Sequence, residues 1–222
     1  MKEETTDGPI FFLSDQLYFP PVEQANSEGL LAVGGNLSSE RLLLAYQSGI
    51  FPWFNDDAFL MWWSPKTRMV LYPEEVKVSK SMQKVIRSGQ FRLTKNKRFK
   101  AVIEHCSAVP RDGQEGTWIT DDMKKAYLEL HKKGFATSYE VWDEKELVGG
   151  LYGIDLGHIF CGESMFSLKA NASKFAFIQM AKELEGKNYK LIDCQLYTDH
   201  LASLGAREIE RTLFMKRLKG QN

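Results

Sequence analysis

The sequence predicts a mixed α/β protein with a small loop-rich N-terminal domain, residues 1–66, and a larger domain, residues 67–222. Residues up to 66 are rich in Gly, Pro and aromatic side chains, whereas the rest alternates short apolar runs of strand character with stretches of helical periodicity. With 43% hydrophobic and 26% charged residues over 222 positions, the chain has the composition of a globular protein that can bury its own core.

Capping residues and apolar periodicity locate the helices. In the N-terminal part, a helix is expected to begin after Ser38, to carry Glu40 in its first turn and to end at Gly49. In the larger part, a helix capped by Thr120 is expected to end at Gly134. Its apolar side chains recur at the spacing of one helical face: Met123, Ala126, Tyr127 and Leu130.

Short β-rich runs make up most of the larger domain. A strand from Tyr189 to Tyr197 is expected after a helix that is capped at Asn171 to Ser173 and runs to Gly186. Three earlier runs separated by polar turns predict an antiparallel meander: Phe135 to Trp142, Leu147 to Ile154 and His158 to Phe166. The fold class is therefore α/β (α+β), with a mixed, mainly antiparallel sheet flanked by helices.

Cysteine usage and hydropathy indicate a reduced, cytoplasmic protein. The three cysteines, Cys106, Cys161 and Cys194, show no paired spacing, and no basic-then-apolar leader precedes the first motif. The longest apolar runs are far shorter than the roughly 20 residues that a membrane-spanning helix requires. We expect no membrane segment.

Charge is distributed unevenly, although the formal net charge is zero. Residues 1–75 hold eleven acidic and four basic side chains, whereas residues 76–100 hold nine basic side chains and no carboxylate. A basic run of this kind can bind phosphate groups with salt-sensitive affinity, so it is a candidate RNA surface. The alternative is a solvated face that keeps the protein soluble.

Several familiar motifs fail on their chemistry. The segment Gly162–Phe166 resembles a nucleophile elbow, but Phe stands where that sharp turn needs Gly. The glycines between Gly29 and Gly35 are not followed by the Lys-Ser or Lys-Thr of a phosphate loop. Neither the histidines nor the cysteines show metal-ligand spacing, so no metal is expected. Cys194 and His200 could form a thiol nucleophile with a base, but a buried cysteine on a strand is the commoner case.

Polar residues inside apolar strands indicate a functional site more specifically than these motifs do, because burying an unpaired charge is costly. Glu163 interrupts one such strand and Asp193 another, with Gln195 two positions further on. On a regular strand Asp193 and Gln195 would share a face, where a carboxylate and an amide suit the attack of an amine on an ester. The alternative is that each is satisfied structurally, for example by a backbone amide or by Lys174.

Six blocks carry a resemblance to a known family. They are Gly29–Gly35, Gly49–Phe54, Trp62–Pro65, Glu115–Thr120, Phe160–Phe166 and Leu191–Gln195, in this order along the chain. Together they resemble the bacterial leucyl/phenylalanyl-tRNA–protein transferases, and the coverage runs from about residue 19 to the end. The resemblance implies a small N-terminal domain followed by a domain similar to the GNAT acyltransferases.

The resemblance also implies roles for matching positions. Asp193 and Gln195 match the family's catalytic pair, and Glu163 matches the carboxylate that holds the amino group of the incoming aminoacyl moiety. Trp53, Trp118 and Tyr127 match residues around the terminal adenosine, and Trp53 and Trp118 also lie near turns, where rings can stack on a base. A basic helix that carries Lys80, Lys84 and Arg87 matches the surface expected to meet the acceptor stem. Apolar positions match the pocket for the transferred side chain: Leu151, Phe160, Met165, Phe177, Met180, Leu184 and Ile192.

The implied activity is transfer of leucine or phenylalanine, and also methionine, from aminoacyl-tRNA to proteins that begin with Arg or Lys. Such transfer marks the acceptor for degradation by the N-degron pathway, where an adaptor can act downstream. The ester is already activated, so no cofactor is expected. Either Asp193 attracts the proton of the attacking amine, or the terminal ribose hydroxyl shuttles it and Asp193 orients the amine.

Two rival classes remain on the sequence alone. An acyltransferase with a thioester donor would need a glycine-rich loop before the helix that begins at Ala172, and the segment Ser167–Asn171 contains no glycine. A non-catalytic RNA-binding module would use the basic run of residues 76–100. That reading leaves Glu163 and Asp193 without a reason to interrupt their strands.

Overall fold

The computed structural model describes residues 8–54, 59–109 and 117–220. Along these residues the strands are β1 (Phe11–Leu13), β2 (Leu30–Gly34), β3 (Phe51–Pro52), β4 (Met61–Trp63), β5 (Thr67–Leu71), β6 (Phe91–Lys95), β7 (Ala136–Asp143), β8 (Glu146–Asp155), β9 (Ile159–Ser167), β10 (Leu191–Gln195) and β11 (Arg207–Glu210). The helices are α1 (Ser39–Gln47), α2 (Lys80–Ser88), α3 (Phe99–Ala108), α4 (Asp121–Lys132), α5 (Ala172–Gly186), α6 (Asp199–Ser203) and α7 (Arg211–Leu218). The expected mixed α/β class is confirmed.

The chain divides into two compact units, with boundaries between Thr67 and Arg68 and between Ile209 and Glu210. The C-terminal helix α7 therefore belongs to the smaller, N-terminal unit, whereas the sequence prediction placed all residues after 66 in one domain. Arg211 at the start of α7 donates a hydrogen bond to the Ser64 carbonyl at 2.6 Å. Contacts of this kind join the two ends of the chain within the smaller unit.

The smaller unit contains a four-stranded sheet in the order β1-β2-β4-β3. Helix α1 begins as its sequence predicts, because the Ser38 hydroxyl accepts a hydrogen bond from the Arg41 backbone N–H. The chain leaves this helix through Gly49, whose φ of +73° lies in the left-handed region that favours glycine. A side chain at position 49 would also collide with Met215 of α7.

The larger unit contains a seven-stranded sheet in the order β11-β5-β10-β9-β8-β7-β6. Strands β6 to β9 pair antiparallel in succession, which confirms the predicted meander, and β10 pairs parallel to β9 and antiparallel to β5. The helix predicted after Thr120 is α4, where the Thr120 hydroxyl accepts a hydrogen bond from Met123 N at 3.2 Å. The sheet is therefore mixed and mainly antiparallel, as expected.

Helices cover both faces of this sheet. The side chain of Leu151 on β8 belongs to the apolar cluster that contains Phe177 and other residues of α5. The next residue, Tyr152, packs edge-on against Tyr127 of α4, with ring centroids 5.5 Å apart, and against Phe99 of α3. Because successive strand residues point to opposite faces, α5 covers one face and α3 and α4 cover the other.

Two β-bulges lie on neighbouring strands in the middle of the sheet. On β9 the pairing steps from Gly162 opposite Gly153 to Ser164 opposite Tyr152, so Glu163 is the extra residue. On β10 the pairing with β5 steps from Asp193 to Gln195, so Cys194 is the extra residue. The parallel pairing of β9 with β10 ends at Asp193 opposite Cys161. Each bulge re-aims the polar side chains of its strand at this point of the sheet.

The bulge on β9 requires glycine at position 153. An added Cβ would lie 2.2 Å from the Cys161 carbonyl oxygen and 2.7 Å from the Phe160 ring, so the strands would have to move apart. Gly153→Ala is therefore expected to lower the free energy of unfolding by about 1–3 kcal/mol, measured by urea denaturation.

The matched control is Gly186→Ala at the end of α5, where an added Cβ meets no heavy atom within 4 Å. Alanine favours the helix, so this variant is expected to keep or slightly raise the stability. Equal effects of the two substitutions on the free energy of unfolding would show that close packing at the bulge does not cause the loss of stability in Gly153→Ala.

Candidate active site

A hydrogen-bond network at the two bulges brings together four of the residues that the sequence singled out. The Glu163 carboxylate accepts a hydrogen bond from the Tyr127 hydroxyl at 2.7 Å and another from the Gln195 side-chain amide at 2.7 Å. The backbone N–H of Gln195 in turn donates to Oδ1 of Asp193 at 2.9 Å. The network thus runs from α4 through β9 to β10.

Asp193 lies at the buried end of this network and is 0% exposed. Its carboxylate accepts two hydrogen bonds from Arg68 of β5, one from Nε to Oδ1 and one from Nη2 to Oδ2, both at 2.8 Å. Burial by itself lowers the pKa of Arg68, but the charge of Asp193 and its hydrogen bonds raise that pKa above its usual value. The two groups therefore form a buried, bidentate ion pair.

The backbone of Gln195 adopts an unusual conformation. Its φ of +64° lies in the left-handed region, which is unfavourable for a residue with a Cβ atom. The alternation that would place Asp193 and Gln195 on one face does not apply, because the bulge at Cys194 interrupts it. The two residues are joined instead through the Gln195 backbone N–H, which leaves the Gln195 side chain to reach Glu163.

The partly exposed members of the network are Glu163 and Gln195, whereas Asp193, Arg68 and Tyr127 are buried. The Tyr127 hydroxyl and the Gln195 side-chain amide are uncharged donors that fix the direction of the Glu163 carboxylate, and a carboxylate oxygen can accept more than one hydrogen bond. The amide oxygen of Gln195 can accept a hydrogen bond from an amine. Solvent therefore reaches Glu163 and Gln195, whereas Asp193 is buried behind them.

The apolar positions expected to hold the transferred side chain lie on the face of the sheet covered by α5. Met165 is partly buried, and the other six belong to the apolar cluster at 3% exposure or less: Leu151, Phe160, Phe177, Met180, Leu184 and Ile192. The network residue Tyr127 lies on the opposite face. Strand β9 contributes to both groups, because its bulge residue Glu163 lies between Phe160 and Met165.

The aromatic residues expected around the adenosine are distributed over both units. Tyr127 is part of the network, and Trp118 lies in the same unit and is 6% exposed. Trp53 lies in the smaller unit, where its carbonyl accepts a hydrogen bond from the Trp63 indole at 2.7 Å. Glu115 and Gly116, which belong to one block of the family resemblance, lie outside the described residues.

The basic helix predicted to meet RNA is α2. Lys80, Lys84 and Arg87 are exposed and lie at i, i+4 and i+7, so they share one face of the helix. Met82 is buried and packs in the apolar cluster that includes α5. The three cations therefore face solvent on a helix that is anchored by its opposite side.

Comparison with known proteins identifies a family over nearly the whole chain. A sequence profile described as leucyl/phenylalanyl-tRNA protein transferase matches residues 70–219, and the profile of that enzyme's N-terminal domain matches residues 35–66. The chain belongs to the leucyl/phenylalanyl-tRNA–protein transferase family. It is therefore an aminoacyltransferase whose substrate is aminoacyl-tRNA.

Individual relatives agree with this assignment. A leucyl/phenylalanyl-tRNA–protein transferase of Flavobacterium johnsoniae is 57% identical over 212 residues, covering 96% of this chain and 100% of the relative. That of Nitrosospira multiformis is 53% identical over 212 residues, covering 95% and 91%. Among solved structures, a GCN5-related N-acetyltransferase from Kribbella flavida matches with a TM-score of 0.40 at 8% identity, covering 74% of this chain and 58% of that chain.

Sequence reasoning missed Arg68, although the sequence contains a signal for it. Arg68 precedes the apolar run Met69–Leu71, in a strand that the sheet then buries. A buried cation needs a carboxylate partner, so the same argument that singled out Asp193 also applies to Arg68. Only the pairing of β5 with β10 shows that the two charges satisfy each other.

Neither a metal centre nor a thiol nucleophile finds support at this site. Among residues 8–54, 59–109 and 117–220, no group of three or more His, Cys, Asp or Glu side chains could hold a metal ion. Burial and the charge of Asp193 raise the pKa of the Cys194 thiol. Burial also lowers the pKa of His200.

In the same described ranges, no helix combines the length and apolar character needed to cross a bilayer.

Cys194→Ala is expected to keep the rate of aminoacyl transfer within about threefold of wild type, because a thiol with a raised pKa stays protonated and unreactive from pH 6 to 9. The measurement follows labelled leucine from leucyl-tRNA into a peptide with a free α-amine. Glu163→Gln is the comparison variant and is expected to lower the rate by at least about tenfold. A loss of transfer in a folded Cys194→Ala variant would instead support Cys194 as the nucleophile.

Proposed function

We propose that this transferase moves leucine, phenylalanine or methionine from aminoacyl-tRNA to the α-amine of proteins that begin with Arg or Lys. The observation that carries the proposal is the network in which Glu163 is bound by Tyr127 and Gln195, on the strand that also supplies Phe160 and Met165 to the apolar group. The donor is a synthetase product, which puts the reaction in the cytoplasm. The transferred residue would mark the acceptor for degradation by the N-degron pathway, where a recognition adaptor can act.

The donor's amino group is proposed to bind the Glu163 carboxylate. The Tyr127 hydroxyl and the Gln195 amide hold the two oxygens in place, each at 2.7 Å, so the carboxylate is already oriented when the substrate arrives. An ammonium group adjoining this carboxylate would make a charge-assisted hydrogen bond. This contact fixes the ester carbonyl relative to Gln195, and positioning of this kind can supply a large part of the rate enhancement.

The donor's side chain is proposed to enter the apolar cluster on the α5 face. Burial of hydrocarbon there contributes about 0.8 kcal/mol per CH₂ group, which favours leucine, phenylalanine and methionine over polar side chains. Six of the seven expected wall residues are at most 3% exposed, so the substrate needs some of them to move. Met165 is the partly exposed member, and its flexible thioether can move at the lowest cost.

The geometry favours an orienting role for Asp193 over that of a proton acceptor. Both of its oxygens already accept hydrogen bonds from Arg68, and Oδ1 also accepts from the Gln195 backbone. In the proposed reaction the acceptor amine forms a C–N bond to the ester carbonyl while the bond from that carbon to the ribose oxygen breaks. The proton of the amine passes to the terminal ribose, whose hydroxyl is the leaving group.

A cationic first residue on the acceptor suits the charge of the site. Acidic groups near a binding site favour cationic ligands in general, and a preference for Arg or Lys is what the family resemblance implies. Peptides that differ only in residue one are expected to accept leucine at least about tenfold faster when they begin with Arg or Lys than with Ala or Glu. The readout is the initial rate of labelled leucine transfer.

The control for this acceptor assay is an Arg-initiated peptide with an acetylated N-terminus, which offers the same side chain and no nucleophilic amine. It is expected to accept nothing. Similar rates for all four free peptides would contradict the proposed acceptor preference and leave the donor reaction intact.

The basic face of α2 is proposed to bind the acceptor stem. Replacing Lys80, Lys84 and Arg87 by Gln is expected to weaken aminoacyl-tRNA binding and to reduce the slope of log Kd against log salt by about two to three units, one per lost phosphate contact. Filter binding between 50 and 300 mM KCl measures this slope.

A triple variant with the same change in net charge provides the control for α2. Lys125, Lys132 and Lys133 are exposed on or just after α4, so their replacement by Gln is expected to leave the salt slope within half a unit of wild type. Equal changes in the two triple variants would indicate that only net charge matters, and would remove α2 as the specific tRNA surface.

A further inference from the structure

We propose that Arg68 is a positioning residue for aminoacyl transfer, which acts through Asp193 to hold Gln195 against Glu163. Arg68 binds Asp193, Asp193 binds the backbone of Gln195, and the Gln195 side chain binds Glu163. This inference rests on the proposed roles of Gln195 and Glu163 in the reaction. It adds a residue from β5, a strand that none of the sequence motifs connected with the site.

The first step of this chain is a bidentate contact that only arginine can make. The Nε and Nη2 atoms of Arg68 each lie 2.8 Å from a different oxygen of Asp193, so the planes of the two groups are fixed relative to each other. Lysine carries the same charge on a single flexible nitrogen and cannot fix both oxygens. Arg68 is 2% exposed and Asp193 is 0% exposed, so water does not replace a lost contact readily.

The second step is the backbone of Gln195. Its left-handed conformation is unfavourable for a residue with a side chain, and it persists where the surroundings hold it. The hydrogen bond from Gln195 N to Asp193 Oδ1 is such a restraint, and it uses the same oxygen that Arg68 Nε binds. A rotated Asp193 carboxylate would therefore release the backbone at Gln195.

The third step is the placement of the Gln195 amide. Its nitrogen lies 2.7 Å from Oε1 of Glu163, so a change in the backbone at position 195 moves this amide away from the carboxylate. Misplacement of a catalytic group by about 1 Å can cost about a hundredfold in rate. A residue that touches no substrate can thus control the rate of transfer.

A double-mutant cycle separates this role from a merely structural one. Arg68→Lys is expected to lower kcat by about 10-fold to 100-fold and to change KM for leucyl-tRNA by less than about threefold. In a Gln195→Ala background, the same substitution is expected to lower kcat by less than about threefold, because the group that Arg68 positions is absent. Equal losses in both backgrounds would overturn the proposal.

The matched control is Arg207→Lys in the same unit. Arg207 also holds a carboxylate, that of Glu75, through Nη1 and Nη2, but this pair is exposed and lies outside the network. The control is expected to keep kcat and KM within about twofold of wild type. A loss at Arg207 similar to that at Arg68 would show a general effect of replacing arginine, and would count against a positioning role.

A second variant covers the case in which Arg68→Lys fails to fold. The double replacement Arg68→Met with Asp193→Leu removes the pair without leaving one charge buried alone, and such apolar replacements are commonly tolerated. This variant is expected to unfold cooperatively and to lose as much kcat as Gln195→Ala. A folded double variant with the wild-type kcat would overturn the proposal.

A spectroscopic readout makes the inference independent of the proposed acceptor. The side-chain NH₂ signals of Gln195 are assigned as those absent from the NMR spectrum of Gln195→Ala. In wild type they are expected to be shifted and slow to exchange with solvent, and in Arg68→Lys they are expected to move to the position of a solvated amide. If wild type transfers nothing to Arg- or Lys-initiated peptides but the Gln195 signals move in Arg68→Lys, only the proposed acceptor function is contradicted. If the Gln195 signals do not move in Arg68→Lys, the positioning role of Arg68 is overturned.

Discussion

One buried ion pair, between Arg68 and Asp193, anchors the hydrogen-bond network at the candidate site of this transferase. Moving a guanidinium and a carboxylate out of water costs several kcal/mol for each charge, and only close, bidentate pairing offsets that cost. Arg68 and Asp193 meet this requirement with two contacts of 2.8 Å. Such a pair contributes little net stability compared with apolar residues, which is why we propose a positioning role for Arg68. Removing one partner would cost about 3–5 kcal/mol, because the other charge would remain buried alone.

The ion pair matters because the sheet is irregular where the pair lies. In a regular strand the residues beside Asp193 would alternate between the two faces, and Gln195 would not combine a left-handed backbone with a side chain that reaches Glu163. The bulges at Glu163 and Cys194 break this alternation on two neighbouring strands. Polar groups thereby gather on one side of strands whose other side chains complete the apolar cluster. One short stretch of sheet therefore supplies both the polar network and part of the apolar cluster.

Two carboxylates that interrupt strands of this fold have different surroundings. Glu140 on β7 is 0% exposed, yet its oxygens accept hydrogen bonds from the Ser138 hydroxyl at 2.6 Å and from the backbone N–H groups of Lys97 and Arg98. These donors precede α3, so Glu140 caps the entry to that helix and has a structural role. Glu163 accepts hydrogen bonds from the Tyr127 hydroxyl and the Gln195 side-chain amide, and it remains partly exposed. A carboxylate within an apolar strand therefore needs partners, and exposure separates a structural carboxylate such as Glu140 from a candidate for substrate binding such as Glu163.

The sequence by itself determined the α/β class, the meander from β7 to β9 and the capped helices α1 and α4, because local periodicity and capping chemistry control those features. It also pointed to Glu163 and Asp193, since a carboxylate within an apolar strand needs an explanation. Tertiary structure alone decided that Arg68 pairs with Asp193, because their contact joins positions 125 residues apart in the chain. It decided as well that Gln195 reaches Glu163, since a bulge depends on the register between strands and leaves no periodic signal in the sequence.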